Sequence, residues 1–160
     1  KELFSTIHNL QLNDIKYKLD EWQPKFTEVI DVEVSNFIEL MGEYKTIHPL
    51  ALIPDTYIPK RIRNRKSPLI LDDAKTLQTD VTVLLAENQT IDILPENVLI
   101  DSEFGNYTLR FEKKDNKTCR VVRKLLLKDG KFPSSAYEKY RKFLEQVNRA
   151  DQNKIILKVQ

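Results

Sequence analysis

One cysteine, Cys119, is the only thiol in this 160-residue chain. That excludes an internal disulfide and a paired-cysteine zinc site. Glycine is nearly as scarce: Gly42, Gly105 and Gly130 stand far apart, so no glycine-rich phosphate loop is encoded. The sequence holds neither a Gly-x-Ser-x-Gly elbow nor a His-Glu-x-x-His pair. Histidine is limited to His8 and His48, well separated along the chain. No apolar run approaches the roughly 20 residues that a membrane-spanning helix needs. Charge of one sign is not in excess either, since 26 Lys and Arg against 24 Asp and Glu leave a net +2.

What remains is enough for a folded domain. Hydrophobic residues make up 41% of the chain and aromatics 9%, which argues against disorder. A chain of this length buries roughly 70% of its unfolded surface and needs neither disulfide nor metal to fold. The first residue is Lys1, so a processed or excised chain is expected. Residues 1 to 20 show no signal-peptide core, because Leu3, Phe4 and Ile7 are scattered among polar residues. Three Asn-x-Thr triplets, at Asn88, Asn106 and Asn116, match a glycosylation acceptor. In a chain rich in Asn and Thr they read as chance.

The dominant pattern is alternation, which means strands. Ile30, Val32 and Val34 fall on one face, and Asp31, Glu33 and Ser35 on the other. Leu77, Thr79, Val81, Val83 and Leu85 repeat the pattern, as do Tyr107, Leu109 and Phe111. Cys119, Val121, Leu125 and Leu127 share a face, and Ile155, Leu157 and Val159 close the chain. Asp115-Asn116-Lys117 reads as a hairpin turn, and Gly105 as a turn residue with positive φ. Pro49, Pro54, Pro59 and Pro68 break residues 49 to 68 into extended pieces suited to an edge or a connection.

One helix is predicted over about 134–149. Ser135 and Glu138 form a capping-box pattern after Pro133, and Tyr137, Tyr140, Leu144 and Val147 recur at helical spacing. A second, weaker helical pattern covers residues 1 to 10. Many short strands with one late helix point to a mainly β protein: an antiparallel β-sandwich with one C-terminal helix and a final strand. The chain reads as one β-rich domain, 1–160. The alternative is leading strands over 1–59 and a sandwich module over 60–160.

Converging chemistry is hard to find. Cys119 lies on an apolar strand face and reads as a small core residue, and the histidines read as solvated or structural. Asp72-Asp73 reads as a solvated turn. No catalytic, cofactor-binding or metal-ligating residue is assigned. The local exception is Lys60, Arg61, Arg63, Arg65 and Lys66, five positive charges in seven residues, with the rest of the chain at −3. In an extended chain Arg61, Arg63 and Arg65 would share one face, a candidate docking surface for an acidic partner. Nucleic acid is not indicated, since Tyr57 is the only aromatic near enough to stack. Trp22, Tyr44 and Tyr57 are candidate ligand aromatics for a glycan or peptide, although core or edge packing is the plainer reading of each.

From Lys60 onward an ordered set of short motifs appears. It runs from Arg61-Ile62-Arg63-Asn64-Arg65-Lys66-Ser67-Pro68 through Leu94-Pro95-Glu96-Asn97 and Ser102-Glu103-Phe104-Gly105-Asn106-Tyr107. It continues with Arg123-Lys124-Leu125, Gly130-Lys131-Phe132-Pro133, the stretch Tyr137 to Leu144, and Lys154-Ile155-Ile156-Leu157-Lys158. This set resembles the C-terminal β-rich domain of unknown function that follows the transglutaminase-like domain in secreted bacterial proteins. Residues 10 to 50 are similar, more loosely, to the strands leading into that module. The resemblance implies a periplasmic or cell-envelope setting and a non-catalytic role beside an upstream transglutaminase-like domain as partner. It also implies that this family's catalytic triad lies in that upstream domain, so no catalytic residue is carried over and the chain itself is not expected to be an enzyme.

Overall fold

A computed structural model describes residues 10–20, 22, 25–34, 37–53 and 55–159. The chain divides into two compact units, Lys1–Glu39 and Leu40–Gln160.

The first unit is built on an antiparallel hairpin of β1 (Leu10–Asp20) and β2 (Lys25–Val34). Leu12 faces Val32, Ile15 faces Ile30 and Leu19 faces Phe26, with a shift of register between Leu12 and Asp14. The shift makes Asn13 an extra residue. A bulge of this kind resets the parity of the strand. Leu12 therefore shares a face with Ile15, Tyr17 and Leu19, and with Phe26, Glu28, Ile30 and Val32 across the pair, so the face is apolar but for Glu28 opposite Tyr17. The Tyr17 and Phe26 rings stack on that face with centroids 5.8 Å apart. The helical pattern at residues 1 to 10 falls almost wholly outside the described residues, and Leu10 opens β1.

The second unit carries the predicted antiparallel β architecture. One four-stranded sheet has the order β6 (Lys75–Leu84), β10 (Thr118–Leu127), β9 (Gly105–Lys113), β8 (Val98–Ser102). A second has the order β3 (Glu39–Met41), β4 (Tyr44–Ile47), β12 (Ile155–Val159), β7 (Gln89–Ile93). A short pair joins β11 (Gly130–Phe132) to β5 (Leu69–Leu71). Helix α1 (Tyr137–Asp151), the one α-helix among the described residues, packs on β8 and β9, and β12 follows it. Alternation delivers the core: Tyr107, Leu109 and Phe111 from β9, Cys119, Val121 and Leu125 from β10, Ile155 and Leu157 from β12, all buried. Phe143, Leu144 and Val147 bury the helix stripe.

β4 pairs with β12, so Ile47 faces Ile155 across more than half of the chain. Residues 44–47 thus belong with the C-terminal strands, and the unit begins well before residue 60. The Asp115 turn forms as predicted: its Oδ1 accepts the N–H groups of Lys117 and Thr118, both at 2.7 Å. The Lys117 amide, foremost among these donors, holds the Asp115 carboxyl below the usual carboxylate range.

The start of the helix differs from the expected capping box. A 3-10 turn at Ser134–Ala136 precedes α1, the N-cap residue is Ala136, and no side chain caps it. Glu138 is drawn to cations instead, with Oε1 3.3 Å from Arg141 Nη1 and 3.5 Å from Arg61 Nε. An ion pair with two guanidiniums competes successfully with a back-bond to one amide.

Candidate docking surface

Residues 55–60 form no strand. Pro59 lacks an N–H, and helix α1 supplies the partners that a sheet would otherwise provide. Gln152 Nε2 donates to Asp55 Oδ1 at 3.3 Å, and Asn148 Nδ2 donates to Thr56 O at 3.3 Å. Arg141 Nε donates to Pro59 O at 2.7 Å, and Tyr137 OH to Lys60 O at 2.6 Å. The helix positions descend as the segment ascends, so the segment runs antiparallel along α1. This contact delivers the basic stretch to the amino end of the helix.

There the three arginines separate. A turn at Arg63–Asn64, with Asn64 at φ 55°, breaks the extended run that one shared face requires. Asn tolerates this left-handed conformation better than most residues. Arg61 pairs with Glu138 at 3.5 Å. Arg65 folds back, its guanidinium 4.5 Å from the centroid of the Tyr137 ring, and donates to Ser67 O at 3.1 Å and Pro68 O at 3.0 Å. Arg63 is exposed and has no ion pair among the described residues. Lys60 and Lys66 are exposed beside it. A cleft of about 320 Å³ lies between this stretch and the helix start, lined by Ile62, Asn64, Arg65, Ser134, Ser135, Tyr137 and Glu138. The lining holds no histidine or cysteine. Its rim is basic, with Arg63, Lys60 and Lys66 exposed beside it, and the Arg65 and Tyr137 donors that line it are already bonded.

The densest convergence of polar groups lies elsewhere and was not anticipated. Arg123 projects from β10 into the core and grips Asp151 at the end of α1 through both oxygens, at 2.7 and 2.9 Å. Tyr107 OH donates to Asp151 Oδ1 at 2.6 Å, and Arg123 Nη2 to Thr56 Oγ1 at 3.1 Å. His48 Nε2 lies 2.8 Å from the main-chain oxygen of Asp151. Burial, reinforced by the Asp151 carboxylate, pushes the Tyr107 phenol well above its usual range. Burial opposes the charge of Arg123, but the hydrogen bond and charge of Asp151 outweigh it and raise its pKa. No buried side-chain nitrogen or oxygen lacks a partner among the described residues. The cluster ties α1, β9, β10 and the 55–60 segment together. The available signal was Arg123 itself, which occupies an inward parity position between Val121 and Leu125.

Other candidates fall as follows. Cys119 is fully buried, and desolvation pushes its thiol up. It should stay unalkylated by iodoacetamide in the native protein and react only on unfolding, with mass spectrometry as the readout. His8 lies outside the described residues. Trp22, Tyr44 and Tyr57 are not packed in the core: they are 96%, 54% and 76% exposed. Trp22 sits in the β1–β2 turn, where its N–H donates to Asp20 Oδ1 at 3.0 Å, so the turn geometry holds the backbone and leaves the indole outside. Tyr44 opens β4, and Tyr57 lies in the extended segment. Among the described residues no group of His, Cys, Asp and Glu is placed to hold a metal ion, and no helix is long and apolar enough to cross a membrane.

The fold and this surface define an antiparallel β-rich module with a basic segment held at the amino end of its helix, whose best-connected polar groups tie helix to sheet. Over residues 43–157 the chain matches the family described as a Domain of Unknown Function with solved-structure structure, DUF3858, and it belongs to that family. No curated protein and no solved structure matches the chain. The match takes in β4, in keeping with the pairing of that strand with β12.

Proposed function

We propose that this chain is a non-catalytic accessory module of a larger cell-envelope protein, docking on and positioning a transglutaminase-like domain of that protein. The observation that carries the reading is the apolar face of the β1–β2 hairpin. Leu12, Tyr17, Leu19 and Phe26 on that face are 47%, 63%, 67% and 62% exposed. A lone two-stranded hairpin is marginal in water, and an exposed apolar patch, here interrupted by Glu28 opposite Tyr17, marks an interaction site. The basic stretch Arg61, Arg63 and Arg65 adds a second contact that favours an acidic surface. The transglutaminase-like partner and the periplasmic setting are what the resemblance of residues 60–160 implies.

The test is a calorimetric titration of the chain with the separately expressed transglutaminase-like domain of its parent protein. Saturable binding is expected. The double substitution Tyr17→Ser and Phe26→Ser should weaken it at least about tenfold, because aromatic anchors dominate interfaces. Both side chains are exposed in the free chain, so the folded second unit serves as an internal control by circular dichroism. The Arg61→Ala, Arg63→Ala, Arg65→Ala variant should lose the salt dependence of binding. Absence of binding with both pieces folded overturns the reading.

A further inference from the structure

Strand β6 is the long open edge of its sheet. It is ten residues long, and among the described residues β10 is its only strand partner. Its register with β10 is unbroken from Thr118↔Leu84 to Leu127↔Lys75. Soluble proteins usually disarm such an edge with proline, a bulge, short length or unpaired charge. β6 has no proline, no bulge and only two charged residues, Lys75 at its end and Asp80 inside it. Asp80 is already gripped by Arg120 of β10, with Nε at 2.9 and 3.2 Å from its two carboxylate oxygens. The exposed edge strands β3 and β7, by comparison, have three and five residues.

The direction of the unused hydrogen bonds can be read off. Leu85, just past the strand, donates its N–H to Lys117 O at 3.0 Å. In an antiparallel ladder the bonded positions recur every second residue. The odd positions of β6 therefore bond β10, and the N–H and C=O groups of Thr76, Gln78, Asp80, Thr82 and Leu84 face the open edge. The next ladder agrees: Lys128 donates to Phe104 O at 2.9 Å, which turns the even positions of β10 toward β9.

We propose that β6 pairs antiparallel with β6 of a second copy of this chain, about a two-fold axis through Thr79, to make one continuous sheet. The strand is self-complementary in that register. Leu77 faces Val81 of the second copy on the inner side, where Leu77 is 47% exposed and Val81 half-buried in the single chain. Thr76 faces Thr82, and Gln78 faces Asp80, on the outer side. No like charges oppose each other. Moving the axis to Asp80 sets two carboxylates face to face, which is destabilising. Moving it to Val81 sets Gln78 against Leu84 and leaves Lys75 and Thr76 beyond the paired length. The even positions exchange bonds with even positions, so every open amide from Thr76 to Thr82 gains a partner. A self-pairing strand also explains why the edge carries no disarming feature.

Sedimentation equilibrium of the full chain over a micromolar to millimolar range tests this directly. A monomer–dimer equilibrium is expected, and the amides of Thr76, Gln78, Asp80 and Thr82 should exchange more slowly in deuterium as concentration rises. Gln78→Pro removes one edge N–H without touching the β10 ladder and should abolish the dimer, with an unchanged circular dichroism spectrum as the fold control. Gln78→Glu sets two carboxylate pairs opposite each other and should weaken the dimer roughly tenfold, whereas Gln78→Lys should tighten it at low salt. A chain that stays monomeric throughout overturns the proposal. So does a dimer insensitive to Gln78→Pro, which another surface must hold. A monomer whose β6 amides slow only when an unrelated strand-forming peptide is added assigns the edge to a heterologous strand and overturns the second copy as its occupant.

Discussion

Asp151→Ala is expected to destabilise the second unit by about 3–5 kcal/mol in urea unfolding followed by far-UV circular dichroism. The substitution leaves Arg123 buried and charged with no counter-charge, and strips the Tyr107 hydroxyl of its acceptor. The buried ion pair need not be a net stabiliser, since desolvation offsets most of its Coulomb attraction. Removing one partner is costly because the other is stranded. Replacing both, as Arg123→Met with Asp151→Leu, should therefore recover much of the loss. Equal losses in the single and double variants would show that the cluster acts through packing alone. The same cluster predicts an alkaline limb. Tyr107 is held protonated in the folded state while its unfolded counterpart titrates near pH 10, so the unfolded state binds fewer protons above that pH. Stability is present below pH 10 and falls as pH rises beyond it. Tyr107→Phe should remove that part of the slope.

Local pattern alone does not join Arg123 to Asp151. Alternation across 119–127 identifies an inward face, but an arginine at position 123 reads as polar and is passed over. Its partner Asp151 sits where helix α1 gives way to a turn, and acidic residues at such places are ordinarily solvated. Only the long-range arrangement, with β9, β10 and α1 brought together, makes the two one object. Local patterns did yield strands with strict period two: β9, β10 and β12 each have one buried face that fixes parity, and β6 has half-buried Thr79, Val81 and Val83 alternating with exposed residues. They missed β1 for a specific reason. Asn13 inserts one residue between Leu12 and Asp14, so Leu10 and Leu12 fall out of step with Ile15, Tyr17 and Leu19. A bulge is invisible to a period-two search and yet preserves the apolar face. The basic stretch failed in the opposite direction: alternating arginines promised one face, and a single left-handed Asn64 dispersed them.

That dispersal bears on what the module can bind. Arg61 and Arg65 are engaged with Glu138 and the Tyr137 ring, so the free positive charge is centred on Arg63 and its lysine neighbours. A partner recognised through this surface meets a rim of mobile, hydrated charge, which sets association rate and salt dependence more than affinity. In the proposed docking, the exposed side chains Leu12, Tyr17, Leu19 and Phe26 of the hairpin supply the apolar contact. The two surfaces make separable contributions to the proposed docking, one sensitive to salt and the other not.

The second large effect belongs to Gly105→Ala. Gly105 has φ +154°, and a Cβ built there lies 1.9 Å from the main-chain oxygen of Leu126. The obstacle is backbone of β10, with which Gly105 pairs, so no rotamer change relieves it. The residue also closes the β8–β9 turn opposite Ser102, directly after Phe104. Phe104 is buried, edge-on to Phe132 at 4.9 Å and to Tyr140 of α1 at 5.3 Å. To admit a methyl group the turn must swing away from β10 and carry Phe104 out of its seat against the helix. Backbone strain of about 1–3 kcal/mol and lost packing of similar size then add, for an expected destabilisation of roughly 3 kcal/mol or more. Gly42→Ala is the matched control. Gly42 has φ +64° with nothing near its Cβ position, so only the left-handed penalty of about 1–2 kcal/mol applies. The difference between the two variants in urea midpoint isolates the steric part. Equal losses would mean that β10 yields at Leu126, and the β8–β9 turn would then be held by Phe104 alone rather than by the close approach of the two strands.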